Sequence, residues 1–115
     1  MQAQVQAFVE AMDEFGLCPE VEAELIICHF RPAAGARANC ALAVGVAIDE
    51  LIGWPQVPPH WIHLPANVEF ARTNSKASSK SGWLQHSRDC PGWGDAPPAR
   101  CWIAHLQTVL SEVIQ

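Results

Sequence analysis

Apolar residues recur three to four positions apart at the start of the chain, at Val5, Phe8, Val9, Met12 and Phe15, with Gln, Asp and Glu between them. This spacing predicts an amphipathic helix over 2–15, ended by Gly16. The pattern then turns to alternation. In VEAELIICHF (21–30), Leu25 and Ile27 fall on one side and Ile26, Cys28 and Phe30 on the other, which predicts a strand. RPAAGARA marks a turn region through Pro32 and Gly35. CALAVGVAI (40–48) is the clearest strand, with Cys40, Leu42, Val44, Val46 and Ile48 alternating with Ala41, Ala43, Gly45 and Ala47. The large set suits a core, and the small set leaves room for close packing on the other face. The short connection predicts an antiparallel hairpin. In IGWPQVPPHWIHLPANVEF (52–70), Pro55, Pro58, Pro59 and Pro65 exclude a regular central strand. The expected path is an extended approach and turn, a short strand near His60–Leu64, and extended chain at Val68–Phe70. A polar loop is expected to Gly82, followed by an irregular, aromatic-rich segment over 83–100. A closing helix is predicted over about 100–114, with Trp102, Ile103, Leu106, Val109, Leu110, Val113 and Ile114 as its apolar stripe. This order of elements is α+β.

Length and composition narrow the class. The chain has 115 residues, room for a single domain over 1–115, and its 17% charged content is that of a globular protein. No apolar run approaches the ~20 residues of a membrane span. The opening MQAQVQAFVEAMDEF lacks a positive leader region, so a cytoplasmic protein with no membrane partner is expected. Seven Lys and Arg against twelve Asp and Glu give a net charge of −5, which argues against a nucleic-acid partner. Arg72, Lys76 and Lys80 share one polar stretch, read as a solvated loop with a local docking surface as the alternative. The cysteines are Cys18, Cys28, Cys40, Cys90 and Cys101; the odd count and absence of CxxC oppose a disulfide framework. Trp54, Trp61, Trp83, Trp93 and Trp102 read as core.

The segment WPQVPPHWIHLP pairs Trp54-Pro55 with Pro58-Pro59 ahead of a strand, and CPGWGDAPPARCWIAHLQTVLSEVI sets Cys90, Trp93, Pro97 and Pro98 before the last helix. In this order the chain resembles the ubiquitin-conjugating-enzyme family across nearly its whole length. GWLQHSRDCPGWGD is similar to the bacterial branch of that family, which accompanies ubiquitin-like modifiers and activating enzymes in anti-phage defence operons. The resemblance implies a ubiquitin-conjugating-enzyme-like fold and a transferase. It would accept a ubiquitin-like modifier from an activating enzyme as a cysteine thioester and pass it to an amine of a target protein. The chain departs from the eukaryotic pattern in lacking the His-Pro-Asn tripeptide, whose place is taken approximately by Lys80-Ser81-Gly82. Its cysteine-to-tryptophan spacing is also shorter.

Such an acceptor must be an accessible thiol able to leave again. Cys90, in the irregular Pro/Gly/Trp segment, is the first candidate, and Cys101, near the start of the last helix, is the second. Cys28 and Cys40 alternate with aliphatic residues and are expected to be buried. Arg88 would favour a thiolate at Cys90 and Asp89 would oppose it. Asp89 is also placed to orient or deprotonate an incoming amine. His86, four residues before Cys90, is the candidate base or oxyanion donor. Asp95 is expected to cap or brace the last helix. His60 and His63, with His86 and Cys90, raise the idea of zinc, but a spacing of three on a strand sends two side chains to opposite faces. No metal or cofactor is therefore assigned, and one core and one surface histidine are expected. The alternatives to a transferase are an inactive adaptor of the same fold, binding the modifier or activating enzyme, and a small metal-dependent hydrolase.

Overall fold

The computed structural model describes residues 2–115; Met1 lies outside them. Helix α1 (Ala3–Glu14) buries Val5, Phe8 and Met12, one stripe of the apolar pattern. It stops where Gly16 adopts φ 76°, with Gly16 N donating to Asp13 O and Leu17 N to Met12 O. This pair of reversed bonds closes the last turn and satisfies carbonyls that would otherwise lack partners. Helix α2 (Pro98–Leu110) buries Trp102, His105, Leu106, Val109 and Leu110. It begins two residues earlier and ends sooner than the periodicity implied. Val113 leaves the helix to bridge Phe70, and Ile114 is exposed. Pro97 occupies the N-cap with no side-chain cap bond, so Asp95 does not cap the helix.

The strands are β1 (Glu20–Glu22), β2 (Leu25–Phe30), β3 (Leu42–Ala47), β4 (Trp61–Pro65), β5 (Ser75–Ala77) and β6 (Trp83–Ser87). They form one antiparallel sheet in the order β1-β2-β3-β4-β6-β5. The hairpin expected between the two clearest strands is present, running from Leu25↔Ala47 to Phe30↔Leu42. Its register puts Ile26, Cys28 and Phe30 of β2 beside Val46, Val44 and Leu42 of β3, all facing the helices. The stretch read as a strand over 21–30 is two strands. Ala23, at φ 52°, turns the chain between β1 and β2.

Two expectations fail here. The polar loop before Gly82 contains edge strand β5, and the segment read as irregular over 83–100 begins with β6, which inserts between β4 and β5. Neither strand announces itself locally. Ser-Lys-Ala is exposed throughout, and Trp-Leu-Gln-His-Ser hides its alternation behind a histidine. Their backbone groups are satisfied only by pairing with each other and with β4.

Both helices lie on one face of the sheet and share one core, in which Phe8, Trp54 and Trp102 meet Ile26, Val44, Ile62 and Leu64. A 3-10 turn over Ile48–Gly53 follows β3 and buries Leu51 under α1. The other face is a trough of about 780 Å³, lined by Ala47, Asp49, Trp61, His63, Lys76 and Gln85. The β5–β6 loop folds over it, with Ser78 Oγ at 2.7 Å from His63 Nδ1 and Lys80 Nζ at 2.7 Å from Glu22. This cover buries His63, while His60 stays partly exposed. Among the described residues no helix is long and apolar enough to cross a membrane.

Candidate active site

The segment between β6 and α2 is short of regular structure because Pro91, Gly92, Gly94 and Pro97 interrupt it, with Gly92 and Gly94 at φ 78° and 98°, and Pro98 opens α2. It is pinned through Trp93, whose indole N–H donates to Pro55 O at 3.1 Å and whose ring lies 5.5 Å from that of Trp54. The two aromatic-proline motifs noted in the sequence therefore meet in space. Between this segment and α2 runs an open groove of about 480 Å³, lined by Asp89, Cys90, Asp95, Cys101, His105 and Glu112 among others.

Cys90 and Cys101 thus share one groove, each half-buried. Burial first, and then the neighbouring Cys101, push the Cys90 thiol above its ordinary pKa. Both effects disfavour a negative sulfur, so the resting thiol is protonated at neutral pH. Cys101 donates to Ala96 O at 3.3 Å. Of the remaining thiols, Cys28 is buried and pushed up to about 12, by burial and then by Cys18. Cys18 is exposed. Cys40, expected inside, is exposed because β3 begins only at Leu42, beyond the reach of its alternation.

His86 does not sit in an irregular loop beside Cys90. It is fully buried on β6, on the helix-facing side opposite Ile62, with Phe70 edge-on at 4.9 Å. Its Nδ1 pairs with Thr73 Oγ1 at 2.6 Å, and its Nε2 has no partner. Burial, then the Arg88 guanidinium and His63, lower its pKa to about 4. Arg88 extends this network, donating to Thr73 Oγ1 at 3.2 Å and stacking over Phe70. The imidazole that does line the groove is His105, one helical turn after Cys101, held neutral by burial and then by Arg88. The sequence carried a signal for it, the Cys101–His105 spacing of four on a predicted helix.

Asp89 is almost wholly exposed, and its carboxylate lies 3.6 Å from His60 Nδ1. The other ring nitrogen of His60, Nε2, is 2.5 Å from Ser87 Oγ. Among the described residues no group of three or more His, Cys, Asp and Glu side chains is disposed to hold a metal ion. No family model, curated protein or solved structure matches the chain.

Proposed function

We propose that the chain is a cytoplasmic, ubiquitin-conjugating-enzyme-like transferase of a bacterial anti-phage system, with Cys90 as the thioester acceptor. The observation that carries this reading is the groove in which Cys90, Cys101 and His105 meet, on a segment braced by Trp93 against Trp54-Pro55. Of the residues quoted for the family resemblance, Cys90 lines the groove and Trp93 contacts Trp54-Pro55, and the α+β layout, with two helices against one face of an antiparallel sheet, is compatible with that fold.

In this mechanism the Cys90 sulfur attacks the carbonyl carbon of the modifier's thioester on the activating enzyme. The activating enzyme's thiolate leaves and takes up the proton given up by Cys90. A target amine then attacks the new thioester, and Cys90 departs as a thiolate that regains a proton from the attacking nitrogen. His105, neutral in the folded protein, is the proton acceptor within the groove in place of His86. Asp89, Asp95 and Glu112 give the groove carboxylates that attract a lysine ammonium.

A second reading, an adaptor of the same fold that binds the modifier or the activating enzyme without being charged, is favoured by the protonated Cys90 thiol and by the burial of His86. One charging assay with cognate activating enzyme, modifier and ATP separates the two. The transferase reading expects a thiol-labile adduct that is lost in Cys90→Ala and retained in Cys101→Ala. An adduct lost only in Cys101→Ala moves the acceptor to α2. No adduct, under conditions where the activating enzyme itself is charged, favours the adaptor.

A further inference from the structure

We infer that Ser87, His60 and Asp89 form a second nucleophilic site, adjoining the thiol groove at Asp89, that accepts the acyl group of a carboxylic ester on Ser87 Oγ. A serine hydroxyl is hydrogen-bonded to a histidine base, and an exposed carboxylate stands beside the other ring nitrogen, beyond hydrogen-bond length but near enough to attract an imidazolium. Ser87 Oγ lies 2.5 Å from His60 Nε2, and Asp89 Oδ1 lies 3.6 Å from His60 Nδ1.

The sheet register explains why the three converge. Trp61 pairs with Ser87, so His60 comes opposite Arg88, and the residues on either side of Arg88 flank the imidazole. The backbone around the site is clamped. Glu50 Oε1 accepts from His60 N at 3.0 Å, Arg88 N donates to His60 O at 3.1 Å, and Ser87 N donates to Asn74 O at 2.9 Å. The imidazole stands edge-on to Trp61, 5.6 Å between ring centres. The side chains of His60 and Asp89 are 44% and 97% exposed, so a small substrate reaches them from solvent. The neighbouring surface sets the substrate class. Trp61, directly across from Ser87, offers a flat apolar plate, and Lys76 Nζ sits 4.4 Å above its ring. Lys76 reaches Trp61 from β5 across the intervening β6, which brings a cation to the face from which Ser87 is approached. An apolar acyl group against Trp61, with its carbonyl oxygen toward positive charge, fits this surface.

The chemistry closes on itself. Ser87 Oγ attacks the ester carbonyl carbon while His60 Nε2 takes the hydroxyl proton. The tetrahedral intermediate then breaks its bond to the leaving oxygen, which takes that proton from His60 and departs as an alcohol or phenol. Water attacks the resulting acyl-serine, giving a proton to His60. That proton returns to Ser87 Oγ as the free acid is released.

The test is labelling of the intact protein with diisopropyl fluorophosphate, read by mass and peptide mapping, with p-nitrophenyl acetate hydrolysis in parallel. Expected are a single phosphoryl adduct on Ser87, its loss in Ser87→Ala, and labelling about 100-fold slower in His60→Gln. Asp89→Asn, at an exposed position, is expected to keep the fold and slow labelling by a smaller factor. Thermal melts check that each variant is folded. If Ser87→Ala does not fold, His60→Gln and Asp89→Asn carry the test. An unlabelled wild type under conditions that label a serine hydrolase overturns the inference. So does an adduct mapped to another residue, or an undiminished rate in folded His60→Gln.

Discussion

Three of the five histidines hold a hydroxyl: His60 with Ser87, His63 with Ser78 and His86 with Thr73. A neutral imidazole suits each pairing, since it offers one donor and one acceptor nitrogen. For the buried pair the cost of charging is visible in the pKa values. Burial lowers His63, and His86 is lowered to about 4 from an ordinary 6.5. The unfolded chain therefore binds these protons at higher pH than the folded one does. The stability contributed by neutral His86 is fully present above about pH 6.5 and is lost progressively as pH falls toward 4. Urea unfolding followed at pH 7 and pH 4 is expected to show this fall. In His86→Leu the fall is expected to be smaller by on the order of 2–3 kcal/mol. At the thiols, the odd count and the missing CxxC correctly directed attention to individual cysteines. Which of them is exposed depended on strand limits that the residue pattern did not give. Cys40 lies outside β3 although it keeps the alternation of that strand.

Among the elements, α1, α2 and the β2–β3 hairpin were legible because their buried faces follow from local periodicity. β5 and β6 were not. A strand of Ser, Lys and Ala, or one carrying Gln, His and Ser, exists by virtue of its partners. The placement of His86 and Ser87, and of His60 across from them, was not legible for the same reason, since all three depend on β6 pairing with β4. The connection between β2 and β3 shows the converse, a local residue type fixed by a distant contact. Gly35 has φ 92°, and a Cβ there would stand 2.8 Å from the carbonyl oxygens of Leu110 and Ser111 at the end of α2. Both the backbone conformation and the close approach demand glycine. Gly35→Ala is expected to lower stability by about 2–3 kcal/mol, measured by denaturant unfolding, through strain and displacement of the α2 terminus.

At the scale of the whole molecule, the last residues tie separate layers together. Val113 is buried, its carbonyl accepts from Ala36 N at 3.0 Å, and it bridges Phe70. Ile114 N and Gln115 O bond Glu69 at 2.8 and 3.0 Å. Removing 113–115 uncovers apolar core and orphans these groups. The expected loss is about 3 kcal/mol, seen as a lower unfolding midpoint in the truncated chain. By itself the sequence determined the α+β class, the two amphipathic helices and the central hairpin, because helix and strand periodicities are written in neighbouring residues. It also marked Cys90 and Asp89 as reactive types in an irregular segment, and Cys101 near the start of the last helix. Only the tertiary structure decided which groups meet. It buried His86 on the helix-facing side of β6 and set His105 beside the two thiols. It also brought His60 between Ser87 and Asp89. Those encounters are fixed by strand pairing and helix docking, which join residues far apart in the chain and leave no local pattern to read.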